Sequence, residues 1–211
     1  MGMYLPKQEQ VDFLHANLDD VSPELEAAVS NKNADVRQRA AYVIGRIGPD
    51  ANKLGKCLFE QLKVEQEQLV GIYLIDALGA VRYSSPEAIA FLENRYKALS
   101  DENVPPNFSG KYAEVDEKIN LAGALYVLVE PKSREQYLDF VVQWLPPPSN
   151  DMSTTEVDGY WERRWMAVNS LEAMQGASEA IPFLEAMLTE DGAKSWVHIH
   201  VPRVLKALKT P

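Results

Sequence analysis

The sequence contains very little of what builds disulfides and thiolate metal sites. Its 211 residues include a single cysteine, Cys57, so no disulfide can form within the chain and a zinc site with two or more thiolate ligands is excluded. Cys57 stands between Leu54 and Leu58 in a helical pattern. That setting is typical of a buried structural thiol rather than of a nucleophile.

The three histidines, His15, His198 and His200, form no recognisable metal or catalytic motif. His198 and His200 are two residues apart, so on a helix their side chains would point about 200° away from each other. The sequence also lacks a phosphate-binding glycine loop, a Gly-x-Ser-x-Gly elbow and a His-Glu-x-x-His motif. We therefore predict no metal site, no cofactor and no catalytic residues.

Long apolar runs and basic residues are scarce as well. No run approaches the roughly 18 apolar residues needed to cross a bilayer, and no signal segment is visible, which predicts a cytoplasmic protein without membrane contact. The 21 Lys and Arg are outnumbered by 31 Asp and Glu, for a formal net charge of −10. This charge disfavours nucleic acid as a partner and favours a protein or peptide with a basic surface.

What the sequence does contain is helix, most clearly over residues 33–49. Asn33 is a favourable N-cap, and Gly48 followed by Pro49 is a typical helix stop. Between them, apolar residues recur at spacings of three and four, which places them on one face of a helix. These residues are Val36, Ala40, Val43, Ile44 and Ile47.

A second helix of this kind is predicted to end at Gly79, which lies 31 residues after Gly48. Tyr42 and Tyr73 stand six residues before these two glycines. A period near 30 residues that contains two helices indicates a helical solenoid. We predict one domain over residues 1–211, with an N-terminal helix at 7–18 and five helix pairs. The pairs cover approximately residues 22–48, 51–79, 86–130, 133–176 and 177–209.

The predicted helix over residues 33–49 also carries a family resemblance. It contains Asp35-Val36-Arg37, small residues at Ala40 and Ala41, and Ile44-Gly45-Arg46-Ile47-Gly48. This pattern resembles the second helix of a HEAT repeat, in the short form found in phycobilisome-lyase-type proteins. The resemblance implies an all-α, right-handed α-α superhelix over roughly residues 22–208. It also implies that Asp35 and Arg37 bond between neighbouring repeats, although the third and fourth pairs lack the Asp-x-Arg pattern.

In HEAT-type stacks the second helices line the concave face, so the resemblance assigns a partner-binding surface to them. Aromatic residues and arginine are the usual anchors of interfaces. The predicted anchors are Tyr42, Arg46, Tyr73, Trp161, Arg164 and Trp165, and the positions beside them include Arg39, Asp76, Asn169, Trp196 and Arg203. Aromatic residues at helical spacing are also common in cores, and that interpretation stays open for each of them.

Two long insertions, residues 100–112 and 146–158, fall between the first and second helices of their pairs. In a solenoid such turns share one edge, so the two loops are expected to form a local surface there. Long loops in compact folds often serve function. The alternative is that both are merely tolerated insertions.

Three hypotheses of function follow. The first is a non-enzymatic scaffold that holds a protein or peptide on its concave face. The second comes from the resemblance, because some phycobilisome-lyase-type HEAT proteins attach or remove bilin chromophores. The third is nucleic-acid binding through local groups of arginines, which the net charge opposes. These arginines are Arg37, Arg39, Arg46, Arg163 and Arg164.

Overall fold

The structure is a computed structural model that describes residues 7–100, 114–149, 151–190 and 194–209. Within these ranges the chain is helical and forms no β-strand, which confirms the predicted all-α class. The chain divides into two compact units, one ending at Ala88 and the other beginning at Ile89. The single-domain organisation over 1–211 stays a prediction.

The first unit contains five α-helices in its described part. In this unit α2 packs against α3, α4 against α5, and α3 against α5, while α1 lies against α3. Apolar side chains between these helices are fully buried, among them Val29, Ile44, Leu58, Leu74, Ile75 and Leu78. The helices are α1 (Gln8–Ala16), α2 (Leu18–Val29), α3 (Ala34–Ile47), α4 (Gly55–Val64) and α5 (Gln68–Ala80), with a 3-10 helix over Gly48–Leu54.

The start of α3 confirms its sequence signal. The Asn33 side-chain oxygen accepts a hydrogen bond from the backbone N–H of Asp35 at 2.9 Å. At the other end Gly48 adopts a φ of +78°, which glycine tolerates better than other residues. Helical turns resume at once, because a 3-10 helix spans Gly48–Leu54.

Two predicted boundaries in the first unit are wrong. α2 begins at Leu18, so Pro23 lies inside it. Because Pro23 has no backbone N–H, the carbonyl of Asp19 lacks its helical hydrogen bond. Asp19 is exposed, so water can supply a donor there. In α5, Gly79 is buried within the helix, and the left-handed residue that follows the helix end is Arg82.

In the described part of the second unit α7 packs against α8 and α9, and α11 packs against α9 and α10. Its core includes Ile119, Leu125, Val141, Val168, Leu171 and Leu184. The helices are α6 (Pro86–Ala98), which begins before the boundary, α7 (Glu114–Leu128), α8 (Glu135–Val142), α9 (Thr154–Ala173), α10 (Ile181–Met187) and α11 (Val197–Lys209), with 3-10 helices over Pro131–Ser133 and Ser178–Ala180.

The second unit also departs from prediction at the insertions. α9 starts at Thr154 because Ser153 and Glu156 form a reciprocal capping box, so the 146–158 segment is partly helix. The 100–112 segment lies outside the described residues apart from Ser100. In α11, Pro202 lies within a helix that already begins at Val197.

Candidate partner-binding surface

Arg37, in the first turn of α3, connects two successive helix pairs of the first unit. Its Nη1 donates to the backbone carbonyl of Asn31, just after α2, at 2.8 Å. Its Nε and Nη2 donate to the two carboxylate oxygens of Glu65, just after α4, each at 2.7 Å. We call this arrangement an arginine clasp. An arginine on the second helix of a pair binds two groups: a backbone carbonyl just after the first helix of the same pair, and a glutamate just after the first helix of the next pair.

The electrostatics of Glu65 fit this role. Burial raises the pKa of the Glu65 carboxyl, but the hydrogen bonds from Arg37, from the Glu67 backbone N–H and from Gln61 outweigh it and lower the pKa to about 2. Glu65 is therefore ionised throughout the neutral range. The carboxylate that receives Arg37 belongs to Glu65, while Asp35 is exposed.

Arg164, on α9, forms a second arginine clasp with the same kinds of partner. Its Nε and Nη2 donate to the carbonyl of Leu145, just after α8, at 2.9 and 2.7 Å. Its Nη1 and Nη2 donate to the carboxylate of Glu190, just after α10, at 2.9 and 2.7 Å. Leu145 follows the first helix of the same pair and Glu190 follows the first helix of the next pair, as Asn31 and Glu65 do for Arg37.

The residues around Arg164 are interior as well. Its guanidinium carbon lies 4.5 Å from the ring centroid of Trp161, whose ring meets that of Trp196 edge-on at 6.1 Å. The neighbouring Arg163 is buried and its Nε donates to Asp116 at 3.1 Å. Arg164 is 0% exposed and Trp161 only 7%. Their predicted role as exposed anchors is therefore wrong: these polar and aromatic groups stabilise the packing between helices.

Trp165, the third predicted anchor on α9, is accessible, with 38% of its surface exposed. Its ring contacts His200 of α11 edge-on, with the centroids 6.3 Å apart. Burial and the nearby Arg203 lower the pKa of His200, which keeps its imidazole neutral at neutral pH. Arg203 in turn is ion-paired with Glu172 at 2.8 Å. Asn169, one turn beyond Trp165, is half-buried.

Tyr42 and Tyr73 meet on the accessible side of the first unit. They lie on α3 and α5, the second helices of consecutive pairs, and their rings are edge-to-face with centroids 6.2 Å apart. Both side chains are half-buried. The equal spacing seen in the sequence thus corresponds to a direct contact between the two rings.

Charged residues flank this tyrosine pair by one helical turn. Arg39 is exposed, and half-buried Arg46 donates from Nη2 to Gln8 of α1 at 3.0 Å. Asp76 is exposed, yet desolvation raises the pKa of its carboxyl to about 7. We refer to Tyr42, Tyr73, Arg39, Arg46 and Asp76 together as the tyrosine surface.

The described residues offer little for chemistry. Among them no group of three or more His, Cys, Asp or Glu side chains could hold a metal ion. Burial raises the pKa of the Cys57 thiol to about 11, and its Sγ is within 3.0 Å of the Leu54 carbonyl, so it stays protonated. His15 contacts Asp50 at 2.8 Å at the surface. Over the same ranges no helix is both long and apolar enough to cross a membrane.

The second arginine clasp is the feature that sequence reasoning missed. Glu162 and Arg164 repeat the spacing of Asp35 and Arg37, with glutamate in place of aspartate. In α3 the arginine is in the first turn, whereas α9 begins ten residues before Arg164. A search for acid-x-Arg anywhere in a predicted second helix would have found it.

Comparisons with known proteins do not identify a family. No family model matches the chain, and no curated protein does. Among solved structures, the chain is similar to an engineered protein whose crystal structure comes from the Northeast Structural Genomics Consortium. The two are 17% identical, with a TM-score of 0.42 over 94% of this chain and 84% of that chain. A TM-score this low does not establish a shared fold, and the HEAT resemblance rests on its sequence motif alone.

Proposed function

We propose that the protein is a non-enzymatic scaffold that holds a protein or peptide on the tyrosine surface. In this proposal its helix pairs stack as a right-handed α-α superhelix of the HEAT type, and the scaffold works in the cytoplasm. The two arginine clasps support the stacking, because each connects one helix pair to the next through a backbone carbonyl and a glutamate. The observation that carries the binding role is the accessible contact between Tyr42 and Tyr73 on consecutive second helices.

Paired tyrosines suit recognition for a physical reason. An aromatic ring buries a large apolar area at a low cost in side-chain entropy, and the hydroxyl still bonds to water or a partner. The half-buried rings of Tyr42 and Tyr73 are held by their mutual contact. A partner would therefore meet a surface that is already ordered, which reduces the entropic cost of binding.

Charge around the tyrosines specifies the partner further. Exposed Arg39 contributes positive charge beside the tyrosines, while desolvation raises the pKa of the Asp76 carboxyl. Acidic groups on a partner would be favoured opposite such a surface. A basic partner, which the net charge of −10 favours, would have to bind elsewhere on the chain.

The structure reduces the support for nucleic-acid binding. Arg37, Arg163 and Arg164 are bonded to carboxylates at helix contacts, so their charges are already compensated. Arg39 is exposed and Arg46 is bonded to Gln8, and two arginines neutralise few phosphates. No observation on the described residues favours bilin handling over a scaffold.

A capture experiment with matched variants tests the proposal. The full chain is immobilised and exposed to native lysate as wild type, as the Tyr42→Ala/Tyr73→Ala double variant, and as Val64→Ala. Val64 is 68% exposed on α4, so its variant controls for loss of an exposed apolar side chain elsewhere in the first unit. Quantitative mass spectrometry then compares the captured proteins.

We expect one protein or peptide to be captured by wild type and by Val64→Ala and to be depleted about tenfold or more by the double variant. The melting temperature of the double variant must stay near that of wild type. Equal capture by all three forms, or no specific capture by wild type, would contradict the proposal.

A further inference from the structure

The outer face of α1 exposes a large apolar side chain. Phe13 is 64% exposed, and the described part of α1 buries only Val11. Glu9 and Asp12, both exposed, lie beside Phe13 on the helix. A shallow depression formed by Glu9, Gln10, Phe13 and Leu14 runs along this face. An exposed ring beside acidic groups offers a partner both apolar area and charge.

The outer face of α11 has the opposite character. Ile199 is 69% exposed, on the side of the helix away from buried Val197 and Val201. Arg203 and Lys206 follow at spacings of four and seven, so they lie beside Ile199 on the same face. Both are exposed, and both also interact within the chain, Arg203 through an ion pair with Glu172.

The charges of these two segments are completely segregated. Residues 8–29, which include α1 and α2, contain six Asp or Glu and no Lys or Arg. Residues 197–209, which form α11, contain three Lys or Arg and no Asp or Glu. A chain of net charge −10 thus carries a basic helix near one end of the sequence and its most uniformly acidic helices near the other.

We propose that α1 of one chain docks on α11 of a second copy of this chain. The Phe13 ring would pack against Ile199, while Glu9 and Asp12 face Arg203 and Lys206. We assign this face to another copy because the two faces are complementary. Each has an exposed apolar side chain at its centre, and the charges around the two centres are of opposite sign. This self-association is independent of the tyrosine surface, which neither face includes.

The proposed contact joins two different surfaces, so it is heterologous. Contacts of this kind lead to rings or open chains rather than to a closed two-fold dimer. Each helix face is small, so association should be weak and should depend on concentration. Screening by salt should weaken it further, because the opposing charges are at the surface.

The test measures the molar mass of the full chain by sedimentation velocity over a concentration series. At low ionic strength we expect the average mass to rise above the 23.7 kDa of one chain as concentration increases. Salt at about 0.5 M should return it toward one chain. Phe13→Ser and Ile199→Ser should each weaken association about tenfold or more, whereas Val64→Ser, also at an exposed apolar position, should not.

Charge reversal gives the sharper test. The Glu9→Lys/Asp12→Lys variant presents two basic faces, and the Arg203→Glu/Lys206→Glu variant presents two acidic ones. Each alone should remain a single chain, whereas an equimolar mixture should associate again. Thermal melts check that both variants are folded.

Three results would overturn the proposal. One is wild type that stays a single chain at every concentration and low salt. Another is association that the variants leave unchanged. The third is a mixture of folded charge-reversed variants that does not associate. A change in melting temperature for Phe13→Ser without any concentration dependence would show that residues of the same chain cover this face.

Discussion

Two aromatic-containing regions of the molecule were equivalent candidates for partner contact, and the structure buries most of one while it leaves the other half-buried at the surface. The run Tyr160–Trp165 of the second unit is the densest group of aromatic and basic residues, yet most of it is buried. The less conspicuous pair of Tyr42 and Tyr73 in the first unit reaches solvent. A concentration of interface-type residues therefore does not by itself indicate an interface.

The physical reason lies in hydrogen-bond satisfaction. A guanidinium can be buried when its donors meet acceptors and its charge meets a carboxylate. Arg164 meets both conditions through Leu145 and Glu190, and Trp161 covers one face of its guanidinium. The same residue types that bind partners at a surface bind neighbouring helices here.

The largest expected effect comes from breaking the buried clasp. Arg164→Met should lower the free energy of unfolding by about 3–5 kcal/mol, because it leaves the Glu190 carboxylate and the Leu145 carbonyl without their donor. Arg203→Met, which removes the surface pair with Glu172, should cost about 1 kcal/mol or less. Urea denaturation measures both, and equal costs would mean that Arg164 is not buried as described.

The clasp of the first unit can be tested through its pH dependence. The folded pKa of Glu65 is about 2, below the ordinary value of 4.5. The stability it contributes is therefore complete above about pH 4.5 and is lost as the pH falls toward 2. At neutral pH, Glu65→Gln should cost about 3 kcal/mol.

That deficit relative to wild type should shrink toward zero near pH 2. Denaturation curves of both proteins at neutral and acidic pH follow it. Glu60→Gln, which removes a carboxylate in an exposed pair with Lys63, is the matched control. A deficit that is constant with pH would show that the charge of Glu65 is not what stabilises the clasp.

Helix contacts beside the two regions differ in how tightly they are packed. A Cβ added at Gly123 of α7 would lie 2.8 Å from the Ser170 Cβ of α9, whereas one added at Gly45 of α3 would lie 3.3 Å from the Ala77 Cα of α5. Gly123→Ala should therefore cost about 1–3 kcal/mol by overpacking. Gly45→Ala should cost less, so it should have the higher melting temperature of the two variants. The opposite order would show that the contact between α3 and α5 is the tighter one.

A smaller effect on stability is expected at the tyrosine surface. Tyr73→Ala should cost about 1–2 kcal/mol, because it removes an edge-to-face ring contact and the apolar area that a half-buried ring covers, while it weakens partner capture. Thermal melts and capture assays on the same samples give both values. A loss as large as that of Arg164→Met would mark Tyr73 as a core residue.

The sequence was most informative where structure is decided locally. Asn33 caps α3 as predicted, and Tyr42 and Tyr73 occupy equivalent helices because a simple period relates them. Arg37 bonds to the following helix pair, although Glu65 could not be named from the sequence as its acceptor. That choice depends on where α4 ends relative to α3, which no local pattern encodes.

Burial of Trp161 and Arg164 could not be read from the sequence. Aromatic and basic residues cover most sides of α9, so its hydrophobic pattern does not specify which side faces inward. Contacts with α7, α8 and α11 determine that rotation. Propensity likewise gave no indication that Pro23 would lie within a helix rather than open one.

The most direct test of the scaffold proposal is photo-crosslinking from single positions in the folded chain. p-Benzoylphenylalanine replaces Tyr42, Tyr73 or, as a control, exposed Val64, and each protein is irradiated in native lysate. We predict a covalent adduct with one and the same protein from positions 42 and 73, and little or none from position 64. An adduct formed equally well from position 64, or none from 42 and 73 in folded protein, would contradict the proposal.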